Sequence, residues 1–198
     1  MPIKAAFFDI GNVLLRFSTR EVLRKFAWAV GRHPMLVAKR LWQDRIIDRI
    51  ERGKLGGPAI HRMFKELGYK GSYAGFRELW CDHFTLDRGS HALLKRVAGR
   101  VPTYLLSNTN GLHYEFIRAR YSFPGLVRGA ILSHELGLRK PEPAIYRKAL
   151  ALAKTRPEET LFVDDLEENC AGARKLGLVT ILFRSAADLK SRLAALGL

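Results

Sequence analysis

The sequence predicts an α/β fold: a parallel-sheet core interrupted after its first strand by a helical insert. Three observations predict it. Five short apolar runs occur, one at the N-terminus and four after residue 100, and such runs fit strands buried on both faces. Helical patterns separate the later runs, as βαβ units require. Between Leu15 and about residue 90 the runs give way to helical periodicity alone.

Length and composition allow this reading and exclude others. The chain has 198 residues, 47% apolar and 27% charged, ordinary globular usage that excludes a low-complexity or disordered protein. The length suits one compact domain with an inserted lobe. Two cysteines, Cys81 and Cys170, are too few for a disulfide framework and read as reduced intracellular thiols. With neither a leader pattern nor an apolar run of roughly 18 residues, the expectation is a cytoplasmic protein with no membrane association.

The first strand runs through Ile3 and Ala5 to Phe8 and ends at Asp9. Thr19 then reads as the N-cap of a helix carrying Val22, Phe26, Ala29 and Val30 on one face. A second stripe, Leu36, Val37, Leu41, Ile47 and Ile50, would end at Gly53. Pro58 starts a third helix bearing Ile60, Met63, Phe64 and Leu67, stopped by Gly68. Tyr73, Phe76, Trp80 and Phe84 suggest a fourth, with its aromatics read as lobe core rather than ligand contacts. Strands follow at Tyr104–Leu106, 130–132, 161–163 and 179–183. The helices between them carry Leu112, Phe116 and Ala119, then Ile145, Ala149 and Leu152, then Ala171 to Lys175 closed by Gly177.

Charge is uneven. The chain carries 34 Lys and Arg against 19 Asp and Glu, a net of +15. Residues 16–100 hold 19 of the cations and 8 of the anions, a net of +11. Such a lobe can attract nucleic acid, acidic lipid or a phosphorylated small molecule, or can be a solvated helical surface. Its cations are spread over several helices without a nucleic-acid motif, so a nucleic-acid partner is not expected.

Open parallel sheets bind ligands beyond the carboxyl ends of their strands. Four of the five runs lead into polar residues there: Asp9, then Ser107 with Asn108, then Lys140, then Asp164 with Asp165. The three aspartates are ionised at neutral pH on a reference pKa of about 3.9. Clustered, they need a cation between them, and an oxygen donor set suits Mg²⁺. Ser107 and backbone N–H groups around Asn108 can bond phosphoryl oxygens while Lys140 neutralises them. A carboxylate facing a phosphoryl group so held can act as nucleophile. Each residue alone has a plainer reading, as a helix cap or a surface cation; the set of four in this chain order points to function.

The strings FDIGNVL, LLSNTN, GLRKPEP and FVDDLEEN, with the insert segment ERGKL, resemble the haloacid dehalogenase superfamily over nearly the whole chain. They are similar to a bacterial branch of sugar-phosphate phosphatases. The resemblance implies a Rossmann-like core, residues 1–15 and 90–198, with an inserted helical cap domain, residues 16–89. It implies Asp9 as nucleophile, Lys140 as catalytic cation, and Ser107 and Asn108 at the phosphate. Asp9, the Gly11 carbonyl and Asp165, with Asp164 ranked below it, would ligate Mg²⁺. The implied activity is Mg²⁺-dependent hydrolysis of a small phosphorylated metabolite such as a sugar phosphate, through an aspartyl-phosphate.

One departure stands out: where the superfamily's phosphatases carry a second Asp as general acid and base, this chain has Gly11. General acid–base help is typically worth about 10²- to 10⁴-fold, so slower turnover and a bias to good leaving groups are expected. His113 is a candidate substitute, though a helix-surface position is the plainer expectation. Two alternatives accompany the phosphatase: a non-catalytic relative that binds a phosphorylated ligand or nucleic acid through its basic cap, and a 2-haloacid dehalogenase. Helical spacing nominates Trp42, Arg45 and Arg49 to face the cleft.

Overall fold

The computed structural model describes residues 2–198. Strand β1 (Ala5–Phe8) leads into β2 (Leu15–Arg16). Five helices follow: α1 (Thr19–Val30), α2 (Pro34–Trp42), α3 (Ile46–Glu51), α4 (Gly57–Leu67) and α5 (Tyr73–Cys81). Then come β3 (Thr85–Leu86), α6 (Arg88–Ala98), β4 (Thr103–Ser107), α7 (Gly111–Arg120), β5 (Ala130–Leu132) and α8 (Ser133–Leu136). The chain closes with α9 (Pro143–Ala153), β6 (Thr160–Asp164), α10 (Glu167–Arg174), β7 (Val179–Leu182) and α11 (Ala186–Ala195).

The five expected strands form one parallel sheet in the order β5-β4-β1-β6-β7. Strand alternation splits the core between its two faces. Ala6, Phe8, Leu105, Leu161 and Val163 join Leu94, Val97 and Leu193 on one side. Phe7, Leu106 and Phe162 join Ile145, Tyr146 and Ala149 on the other. At roughly 1.5–3 kcal/mol for each large apolar side chain, these two layers fix the register and so the strand ends. The architecture is the Rossmann-like α/β fold expected.

A third cluster belongs to the insert. Phe26, Val37, Ile50, Phe64, Phe76 and Trp80 pack together, with Phe26 and Trp80 stacked at 5.3 Å. Leu112 and Phe116 of α7 pack against this cluster rather than the sheet layers. The chain crosses between the two parts through β2 and β3, antiparallel neighbours pairing Leu15 with Leu86 and Arg16 with Thr85. Arg16 Nε donates to Asp87 Oδ2 at 2.7 Å. Strands of two residues carry no readable periodicity, which is why the sequence did not announce them.

Four local expectations change. Ser18 rather than Thr19 caps α1, its Oγ accepting from the Glu21 N–H at 3.3 Å. The second stripe is two helices, α2 and α3, separated by a 3₁₀ turn and by Arg45 at φ 56°. Leu36 and Leu152 are exposed. Phe84 lies beyond the end of α5. Pro58 and Gly68 sit where expected, Pro58 in the first turn of α4 and Gly68 at its left-handed end.

Candidate active site

Strand order builds the site. β1 lies between β4 and β6, so Asp9 emerges between Ser107, the last residue of β4, and Asp164, the last of β6. Lys140 arrives from the loop after α8. Its side chain is fully buried, and Nζ donates to Leu106 O at 2.9 Å and to Asp164 Oδ2 at 2.6 Å. Nζ also lies 2.9 Å from Asp9 Oδ1. That contact is an ion pair off hydrogen-bond geometry, for Oδ1 is buried with no aligned donor.

Asp164 and Asp165 play different parts. Asp164 is fully buried, and besides Lys140 it accepts from Leu166 N–H and Asn169 Nδ2, both at 2.9 Å onto Oδ1. Its lone pairs go largely to holding the protein together, whereas the half-buried Asp165 borders the cleft. Oxygens of Asp9, Asp164 and Asp165 come within 4.8 Å of one another. Burial pushes the Asp9 carboxyl up, to about 7; Lys140 pulls it down, and Asp164 and Asp165 push it up again. Asp165 is also raised, by burial and by Asp164.

The phosphate contact expected around Asn108 is through backbone N–H groups; its side chain has another task. Its Nδ2 donates to Lys140 O at 2.9 Å and its Oδ1 accepts from Lys140 N–H at 2.8 Å. The amide is thus spent on both backbone groups of Lys140 and positions it. Sequence reading missed the partners behind this layer. Ser133 Oγ accepts from Thr109 N–H at 2.9 Å and donates to its carbonyl at 3.1 Å. Tyr146 donates to Asn169 O at 2.8 Å.

The strand ends open into a cavity of about 400 Å³. Asp9, Gly11, Ser107, Asn108, Lys140 and Asp165 are among the residues that line it. His113 reaches this cavity instead of standing on a helix surface. Its Nε2 faces Trp80 O and its Nδ1 faces Asn110 Nδ2, both at 3.1 Å, which assigns the proton to Nε2. Burial, with the nearby His83, pushes its pKa down to about 3. With both nitrogens engaged, it is no ready proton donor. Trp42, Arg45 and Arg49 do not line the cavity; Ile47, Ile50 and Glu51 do. The break at Arg45 resets the helical phase on which that nomination rested.

An ionic cluster binds the insert to the loop that carries Lys140. Arg139 Nη1 donates to Asp48 Oδ1 at 3.0 Å and pairs with Glu51. Arg52 pairs with Glu142 and donates to Gly137 O at 2.9 Å. Gly53, at φ 69°, comes so near α8 that a Cβ there would fall 2.2 Å from His134 O. The segment ERGKL therefore has a physical meaning: two side chains that hold the loop, then a glycine that permits the approach.

Residues 3–177 match the family model described as haloacid dehalogenase-like hydrolase. The chain belongs to that family. This hydrolase is 26% identical to the D-ribitol-5-phosphate phosphatase of Bacteroides thetaiotaomicron, over 98% of both chains. It is 28% identical to the sesquiterpene phosphatase astK of Aspergillus oryzae, over 89% of this chain and 87% of the other. A crystal structure of a HAD family enzyme from B. thetaiotaomicron, solved with magnesium and inorganic phosphate, superposes with a TM-score of 0.81. That match covers 92% of this chain and 95% of the other at 24% identity.

Proposed function

We propose that this hydrolase is a Mg²⁺-dependent phosphomonoesterase acting on a small phosphorylated molecule through an aspartyl-phosphate on Asp9. The observation that carries this reading is Lys140 Nζ seated between Asp9 and Asp164, at 2.9 and 2.6 Å. It is supported by relatives named as phosphatases of ribitol phosphate and sesquiterpene substrates. The division into a core (1–15 and 90–198) and a helical cap (16–89) is part of the proposal, supported by the insert's own apolar cluster.

The donor set fits the metal. Three carboxylates surround one ammonium, leaving two negative charges uncompensated, and Asp9 Oδ1 lacks an aligned donor. Asp9, Asp165 and the Gly11 carbonyl would hold the ion, while Asp164 chiefly secures Lys140. When bound, Mg²⁺ supplies charge neutralisation that keeps Asp9 ionised and draws phosphoryl oxygens toward it.

The chain's own residues do the rest. Ser107 and Lys140 hold the phosphoryl oxygens opposite Asp9. An Asp9 oxygen forms the new bond to phosphorus as the ester P–O bond breaks. The departing alcohol takes its proton from water, since residue 11 offers none. Water then attacks the aspartyl-phosphate and releases phosphate. Dehalogenation of a 2-haloacid is less well served, because an acidic substrate would meet three carboxylates against one lysine.

The test is phosphate release from p-nitrophenyl phosphate and from a panel of phosphorylated metabolites, with and without Mg²⁺. Asp9→Asn and strong chelation should each abolish it. Activity that survives either one removes the mechanism.

A further inference from the structure

Besides its charged groups the cavity has an apolar wall. Phe17, Ile47, Ile50, Trp80, Phe84 and Ile117 belong to it. The rings are continuous: Phe17 lies 5.7 Å from Phe84, Phe84 5.1 Å from His113, and His113 5.6 Å from Trp80. A Cβ on Gly11 would meet the Phe17 ring at 3.2 Å, so this aromatic wall begins against the residue beside the nucleophile's own loop.

Polar groups interrupt the wall but are largely spent. Both ring nitrogens of His113 are engaged with Asn110 and Trp80. Asn110 Oδ1 accepts from the His113 N–H. Glu51 and Arg139 pair with each other. Besides Asp9, five lining residues keep an atom without an aligned partner, Trp80 Nε1, His83 Nδ1, Glu51 Oε2, Arg139 Nε and Asn169 Oδ1, but each of these atoms is buried away from the cavity's solvent; Thr19 brings a hydroxyl. A polyhydroxylated chain lying against the Phe17, Phe84 and Trp80 rings would lose water from several hydroxyls and find few partners there. Each unmet hydroxyl weakens binding, whereas apolar carbon gains by leaving water.

We infer that this hydrolase prefers phosphate monoesters whose organic group is apolar, alkyl, prenyl-like or aromatic, over esters of polyhydroxylated chains. The inference rests on the phosphomonoesterase reading for its turnover, though not for its binding site.

The experiment holds the leaving group constant. Butyl, hexyl and octyl phosphate are compared with ribitol 5-phosphate, all primary-alcohol esters, by phosphate release with saturating Mg²⁺. Butyl- and hexylphosphonate, which cannot be hydrolysed, are titrated calorimetrically in parallel. Expected is a rise in kcat/KM of up to about fourfold per added methylene (~0.8 kcal/mol) until the cavity is filled. The longest ester should exceed ribitol 5-phosphate by at least about tenfold, and phosphonate affinity should rise with chain length. Phe84→Ser should lower octyl phosphate turnover at least about fivefold more than it lowers ribitol 5-phosphate turnover. A flat chain-length series, a polyol ester that matches or beats the alkyl ones, or equal losses in the variant would overturn the preference and leave the phosphatase standing. No release from any ester, with phosphonates still binding in order of length, would remove the phosphatase reading and keep the apolar site.

Discussion

The Phe17 ring stands 3.2 Å from where a Cβ on Gly11 would be, a tight contact. The glycine at the usual acid–base position is thus tied to an aromatic neighbour. Gly11→Asp alone should destabilise the protein by about 1–3 kcal/mol through overpacking and gain little activity. Combined with Phe17→Ala, it should raise kcat most for esters of poor leaving groups, by up to about 10²-fold. The dependence of kcat on leaving-group pKa is the measurement; a slope as steep in the double variant as in the wild type would count against the account.

Lys140 is buried between two carboxylates, which hold its pKa above the usual lysine value against the opposing pull of burial. Lys140→Met would leave Asp9 and Asp164 facing each other without a counter-charge. The expected cost is about 3–5 kcal/mol, read as a lower urea midpoint in metal-free buffer, with phosphate release lost. Mg²⁺ should restore part of the stability and none of the activity. A midpoint equal to wild type would mean that the ammonium is not the keystone described.

Gly53 and Gly31 separate strain from crowding. Both have φ near 65°, at 69° and 63°, but a Cβ on Gly31 meets nothing within 4 Å while one on Gly53 meets the His134 carbonyl. Gly31→Ala should cost about 1–2 kcal/mol, the left-handed penalty alone. Gly53→Ala should cost about 1–3 kcal/mol more and also loosen the insert. Thermal melts of the two variants side by side decide it, and equal shifts would discard the close approach.

Acid stability depends on two neutral histidines. Burial lowers His83 to about 4 and His113 to about 3, from an ordinary 6.5. Below pH 6.5 the unfolded chain takes up protons that the folded chain refuses. The contribution of these two rings should therefore turn against folding as pH drops from about 6.5 toward 4, and vanish above 6.5. His113→Gln should remove its share of that dependence. Urea midpoints at pH 7, 6, 5 and 4.5 test it; a slope unchanged by the substitution would assign the acid sensitivity elsewhere.

The sheet and its strand-end residues were legible because burial on both faces leaves a strong local signature. Asp9, Ser107, Lys140 and the Asp164–Asp165 pair each close or follow such a run. The finer division of labour was not legible. That the Asn108 side-chain amide holds both backbone groups of Lys140 leaves no local signature. Arg45 and Arg49 looked cleft-facing because helical spacing assumes an unbroken helix, and the left-handed residue between α2 and α3 cancels the assumption. His113 looked exposed because nothing local records that α5 packs over α7. The aromatic wall draws Phe17 and Phe84 from opposite sides of a two-strand crossing, a pairing set by tertiary structure alone.

That crossing and the Arg52 grip act on the same machinery. If the helical insert swings away about β2 and β3, Arg52 must release Gly137 and Glu142 or drag their loop with it. Lys140 rides on that loop. The grip and the ammonium are thus neighbours in the chain: Arg139 reaches outward to Asp48 and Glu51 while Lys140 reaches inward to Asp9 and Asp164.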